Sequence, residues 1–152
     1  MKLEIEINDR AKNRLNRKKI NKAIKETLKL GSFLMSKNVS ISLANVSEEE
    51  IKKLNKIYRH KNTATDVLSF AEYKNQKALA AAGDKNLFLG EIILCYNNIK
   101  QYSRENKINL DEELTRVVSH GMLHLLGFSH GKRMLAVQEK VVSDKNIKAK
   151  LK

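Results

Sequence analysis

The stretch that most constrains this fold runs from Asn109 to His130. From Leu114 onward it is apolar nearly all round, with Val117, Val118, Met122, Leu123, Leu125 and Leu126. A helix of that kind must be buried. Asn109 is placed to cap it, with Glu112 at the third position as a partial capping box. Two histidines, His120 and His124, interrupt the apolar surface at i and i+4. Such positions share a helix face about 5–6 Å apart, so one metal ion can bridge both imidazoles. Gly127 follows, and glycine enters the left-handed conformation cheaply, so it can stop the helix and turn the chain. That turn would bring His130 back as a third ligand. Three of the four histidines of the chain thus fall in one HxxxHxxGxxH segment. Three neutral nitrogens leave an ion's charge uncompensated and a fourth position open, as in a catalytic zinc site. The competing reading is three core or surface histidines placed by chance, and the spacing and apolar flanks weigh against it.

The rest of the chain supplies a sheet and its cover. With 152 residues, 41% of them apolar, it suits a single domain spanning 1–152. Residues 2–7 alternate apolar and charged and read as a strand, not a signal peptide. Val39–Leu43 alternates in the same way. Asp66–Phe70 and Leu89–Cys95 are short apolar runs and complete the expected strands. Ile20, Ala23, Ile24, Thr27 and Leu28 form a helical stripe beside many lysines and arginines, with Gly31 as its stop. That basic helix could lie on a membrane, but its stripe is thin and lacks aromatics. Packing on the sheet with the basic face outward is the stronger reading. Ser47 and Glu50 form a capping box for a helix carrying Ile51, Leu54 and Ile57 to about Tyr58. Residues 73–88 read as a long loop with room for one helical turn. Helices follow from Asn97 to about Lys107 and again after His130, on Met134, Leu135, Val137, Val141 and Val142. The tail from Asp144 is charged and expected to fray. No apolar run approaches the length that spans a bilayer.

Charge narrows the partners. Thirty Lys and Arg against 17 Asp and Glu give a formal +13. That excess favours a polyanionic partner, either nucleic acid or an anionic membrane surface, against the competing reading of a lysine-rich solvated surface with no partner. Aromatic residues are only 5%, with no Trp, which argues against a surface built mainly on stacked bases. Cys95 is the only cysteine, so no internal disulfide forms and a cytoplasmic location fits.

The histidine segment His120-Gly-Met-Leu-His124-Leu-Leu-Gly-Phe-Ser-His130 resembles the H-G-x-L-H-L-x-G-Y-D-H signature of the YbeY family. Other blocks agree in order between about residues 51 and 142. Leu54-Asn55, Tyr58-Arg59 and Thr65–Phe70 are similar to L-N-x-x-Y-R and P-T-D-V-L-S-F, with Ala64 where proline is usual. Leu89–Ile92 is similar to L-G-D-I, and Met134–Glu139 to the family's last helix. The resemblance implies a zincin-like α+β fold, a four-stranded mixed sheet packed with about five helices. It implies one Zn2+ per chain on His120, His124 and His130, and catalytic parts for Arg59 and His120. It implies a single-strand-specific endoribonuclease acting on 16S rRNA of the small ribosomal subunit, in 3'-end maturation and ribosome quality control. Ser129 stands where the family has aspartate, so a carboxylate is replaced by a hydroxyl. The link from His130 to the last helix is also short.

A His₃ ion can lower the pKa of bound water to about 7 and polarise a phosphoryl oxygen. Zinc proteases carry glutamate immediately after the first histidine as general base, and here that position is Gly121. Peptide hydrolysis is therefore disfavoured, and the base for RNA cleavage is left among metal hydroxide, a substrate phosphate and an unplaced side chain. Arg59 has the planar fork that suits phosphate, or else it balances a helix end. His60 and Lys61 read as solvated loop residues. Asp66 and Glu91 read as structural, with the option of orienting a metal ligand from behind. Two other functions stay open: an rRNA-binding assembly factor with a structural metal, and a metallohydrolase of another substrate.

Overall fold

The computed structural model describes residues 2–29, 34 and 36–143. In chain order the elements are β1 (Lys2–Asp9), α1 (Arg17–Leu28), β2 (Asn38–Asn45), α2 (Glu48–Arg59) and β3 (Val67–Ala71). They continue with α3 (Gln76–Ala80), β4 (Asn86–Leu94), α4 (Tyr96–Glu105), α5 (Leu110–Leu125) and α6 (Lys132–Val142). The strands make one mixed sheet in the order β1-β2-β4-β3. β1, β2 and β4 run parallel, and β3 closes one edge antiparallel to β4. Among the described residues the architecture is α+β as expected, with six helices against the expected five or so. The additional helix, α3, lies in the stretch read as a loop with room for one helical turn. Asn75 caps it by accepting from the Ala78 amide at 2.8 Å, and Leu79 anchors it in the core. Gly31 and the tail from Asp144 fall outside the described residues.

Alternation explains β2, whose Val39, Ile41 and Leu43 point into the main core while Ser40 and Ser42 do not. β4 breaks that rule. Ser40 pairs with Phe88 and Ser42 with Glu91, so one β2 residue faces both Leu89 and Gly90. The extra residue shifts the phase: Leu87, Leu89, Ile92 and Leu94 join one core, while Ile93 faces the other. Gly90 makes the bulge possible. Its φ is +134°, and a Cβ there would sit 2.2 Å from the Phe70 carbonyl.

The main core lies between the sheet and α1, α4 and α5. α6 packs on the outside of α5. The basic helix α1 buries its stripe against α5, where Thr27 and Ser119 hydroxyls meet at 3.0 Å. On the opposite face α2 covers a small cluster of Val46, Ile51, Leu68, Ile93 and Cys95. That face is too small to bury the whole expected stripe of α2. Ile51 and Asn55 point inward, and Ile57 stays 63% exposed. Asn55 earns its buried place by donating to the Thr63 carbonyl at 2.9 Å, which folds the following loop back. The capping box is half formed. Ser47 accepts from the Glu50 amide, while the Glu50 carboxylate pairs with Arg10. Among the described residues no helix is long and apolar enough to cross a membrane.

Candidate metal centre and cleft

α5 carries the site at its last turn. Asn109 accepts from the Glu112 amide at 3.0 Å, and three acidic residues occupy the first turn. Both features suit a helix N-terminus. At the other end Phe128 N–H donates to Leu123 O at 2.9 Å and Gly127 N–H to His124 O at 3.0 Å. This 6→1 closure needs a left-handed residue, and Gly127 has φ +89°. A side chain would not fit there. Its Cβ would lie 2.3 Å from Gln76 N and 2.5 Å from Asn75 C. The turn therefore brings together the end of α5, the loop before α3 and His130.

His120, His124 and His130 offer ring nitrogens that all lie within 4.8 Å of one another. A tetrahedral ion with Zn–N distances of about 2.0–2.1 Å requires nitrogens about 3.4 Å apart. The Nε2 atoms of His120 and His124 stand 3.2 Å apart. Their protonation follows from their other nitrogens. His120 Nδ1 lies 2.8 Å from Gln138 Oε1, and His124 Nδ1 lies 3.2 Å from Phe128 O. Both partners only accept, so each Nδ1 carries the proton. The two Nε2 lone pairs then face each other with no hydrogen between them. A cation in that position would convert a repulsion into two ligand bonds. Burial, assisted by His120 and His130, pushes His124 down to about 4. Burial also lowers His120, against the opposing pull of Gln138. Both rings are neutral at neutral pH, as metal ligation demands.

His124 and His130 open onto a cleft of about 480 Å3, walled also by Arg59, Ser69, Lys74, Asn75 and Ser129. Arg59 comes from the far side of the sheet and reaches round edge strand β3. Its Nη2 donates to Ser69 O at 2.9 Å, and its Cζ lies 5.3 Å from the Phe70 ring centroid. Among the described lining residues none is a carboxylate, so the cleft is cationic. Gly121 faces away from it. A Cβ at 121 would press on Ile92 at 3.2–3.3 Å, so a glutamate after the first histidine would be driven into the sheet.

The structure separates the other candidates. Ser129 stands in the cleft wall. His60 caps α2 in the left-handed conformation, exposed and away from the other three histidines. Asp66 accepts from Asn98 at 2.6 Å and Glu91 from Ser42 at 3.2 Å, and neither joins the histidine group. Asp66 is buried enough for desolvation to raise its carboxyl despite that bond. Two residues were missed in the sequence. Lys74 sits in the cleft wall from a segment read as loop. Gln138 meets His120, and its only signal was a polar residue in the apolar stripe of α6 beside Met134 and Val141.

Three histidines, two on the buried helix α5 and the third after its closing turn, meet beside a cationic cleft and form a group that could hold a metal ion, a donor set that suits hydrolysis of anionic substrates. Comparison with known proteins is more specific. The family model for endoribonuclease YbeY matches residues 5–146. Endoribonuclease YbeY of Thermodesulfovibrio yellowstonii is 34% identical over 129 residues, covering 81% of this chain and 74% of that one. Endoribonuclease YbeY of Bacillus pumilus is 38% identical over 112 residues, 68% of this chain and 70% of that one. The solution structure of TM1509 from Thermotoga maritima superposes with a TM-score of 0.62 at 27% identity, covering 96% of this chain and 90% of that one. The chain belongs to the endoribonuclease YbeY family and is an enzyme of that class.

Proposed function

We propose that residues 1–152 form a single zinc-dependent endoribonuclease domain that cuts single-stranded RNA. The proposed substrate is the 3' region of 16S rRNA in the small ribosomal subunit, and the place of action the cytoplasm. His120, His124 and His130 hold one ion, and the observation that carries this is the pair of bare Nε2 lone pairs at 3.2 Å. Zinc held there would supply Lewis acidity and would bring the pKa of water down to about 7. The chain's own residues do the rest. His120 and His124 keep their protons on Nδ1, away from the ion. Arg59 presents its guanidinium at the cleft edge, where it exchanges part of its bond to Ser69 O for a phosphate oxygen. Lys74 adds a second positive charge on the same wall.

The alternatives fare less well. Peptide hydrolysis lacks its glutamate, because position 121 faces Ile92. A purely structural metal would not need an open, cationic cleft at the third ligand. The test is cleavage of a single-stranded RNA by purified protein, with and without chelator, beside His124→Ala. Chelator-sensitive cleavage that His124→Ala abolishes is expected. RNA binding with no cleavage under any metal would favour the assembly-factor reading.

A further inference from the structure

α6 contributes a residue that reaches no substrate but contacts the site. Gln138 is 6% exposed, on the same face as Met134, Val141 and Val142. An amide in that position is costly unless both of its ends are bonded. Its Nε2 donates to Glu139 Oε2 at 3.4 Å, and its Oε1 accepts from His120 Nδ1 at 2.8 Å. Glu139 is in turn gripped by Arg116, whose Nε and Nη2 donate to its two oxygens at 3.0 and 3.1 Å. Arg116 is itself fixed to α5's own Glu113 at 2.5 Å. The hydrogen bond from Arg116 is the main reason that Glu139 titrates below the usual carboxylate range. An ionised Glu139 can only accept, so it draws the amide NH2 toward itself and leaves the amide oxygen for the imidazole.

We propose that Gln138 is the positioning residue of the metal site: its amide oxygen, aimed by the Glu139–Arg116 pair, holds His120 in the tautomer and orientation that present Nε2 to the ion. The proposal rests on reading the three histidines as the metal site. It assigns α6 a function beyond packing. His124 obtains the same service from the Phe128 carbonyl, so both helix-borne ligands are oriented through Nδ1. His120 alone depends on a side chain, and a single substitution can remove that control.

The experiment measures zinc affinity, by competition with a chromogenic chelator, for the native protein and for Gln138→Met. The visible spectrum of the cobalt-substituted forms is recorded in parallel. Gln138→Met keeps the unbranched shape and removes the oxygen acceptor. Loss of such a partner weakens metal binding by roughly 10- to 100-fold. The expected result is a loss in that range with an altered cobalt spectrum, while the melting temperature of the chelator-treated protein stays near native. The double variant Gln138→Glu with Glu139→Gln keeps an acceptor on His120 and a donor behind it, and should restore affinity to within about threefold of native if the acceptor is what matters. Gln138→Leu replaces Gln138→Met if the latter does not fold. Native-like zinc affinity and cobalt spectrum in the variant lacking the acceptor overturn the proposal, as does failure of the double variant to recover. If the native protein binds no zinc, the metal-site reading itself falls.

Discussion

Replacing Gly127 with alanine tests how the third histidine is brought into place. The residue has φ +89°, where an L side chain costs about 1–2 kcal/mol in backbone energy. The added methyl would lie 2.3 Å from Gln76 N and 2.5 Å from Asn75 C, which are backbone atoms and cannot swing aside as a side chain would. Overpacking of that kind costs a further 1–3 kcal/mol or so. The sum is about 2–5 kcal/mol, a sizeable part of the roughly 5–15 kcal/mol that holds an ordinary domain folded. Urea denaturation of the chelator-treated protein measures it. Gly83→Ala is the control, because nothing lies within 4 Å of its would-be Cβ, and it should stay within about 0.5 kcal/mol of native. The clash can be relieved only by parting the 127–130 turn from the loop at Asn75, so zinc affinity should fall in the same variant. A Gly127→Ala protein as stable as Gly83→Ala, with native zinc affinity, would refute the turn argument.

Arg59→Lys should reduce RNA cleavage and Arg59→Glu should abolish it, with zinc content unchanged. Losing the exposed bond to Ser69 O should cost no more than about 1 kcal/mol on denaturation, and full cleavage by Arg59→Glu would remove this residue from the site. RNA affinity should fall steeply with salt, with a log–log slope of roughly 0.7 per phosphate contacted, and a flat titration would end the electrostatic argument. Acid should destabilise the metal-free protein. His124 titrates at about 4 folded and near 6.5 unfolded, so the unfolded chain takes up more protons between those values and stability declines as pH falls through that window. Melting temperatures at pH 7.5 and 4.5 check this, and His124→Gln should flatten the difference.

Much of the site was legible because its spacing is local. The i, i+4 histidines, the glycine stop and the capping residues each act within one or two turns, so the sequence alone fixes their geometry. The same holds for β2, whose alternation is regular. What escaped depends on contacts between distant segments. The phase of β4 is reversed by a bulge at Gly90, and a period of two cannot show an inserted residue. Ile57 follows the helical stripe of α2 but stays exposed, because the sheet face beneath it is small and Asn55 takes the inward position. The place of α3 within residues 73–88 was not legible, because a helix of a turn and a half carries little periodic signal. Gln138 and Lys74 reach the site only after α6 and the loop before α3 fold over it.

RNA cleavage that depends on a metal held by the three histidines remains to be measured. Metal analysis and single-strand RNA cleavage on one preparation, purified without chelator, test it most directly. The expected result is close to one zinc per chain, loss of both zinc and cleavage in His120→Ala and His124→Ala, and recovery of native activity after chelation when zinc is returned. Cleavage that persists at full rate in a protein shown to hold no metal would contradict it.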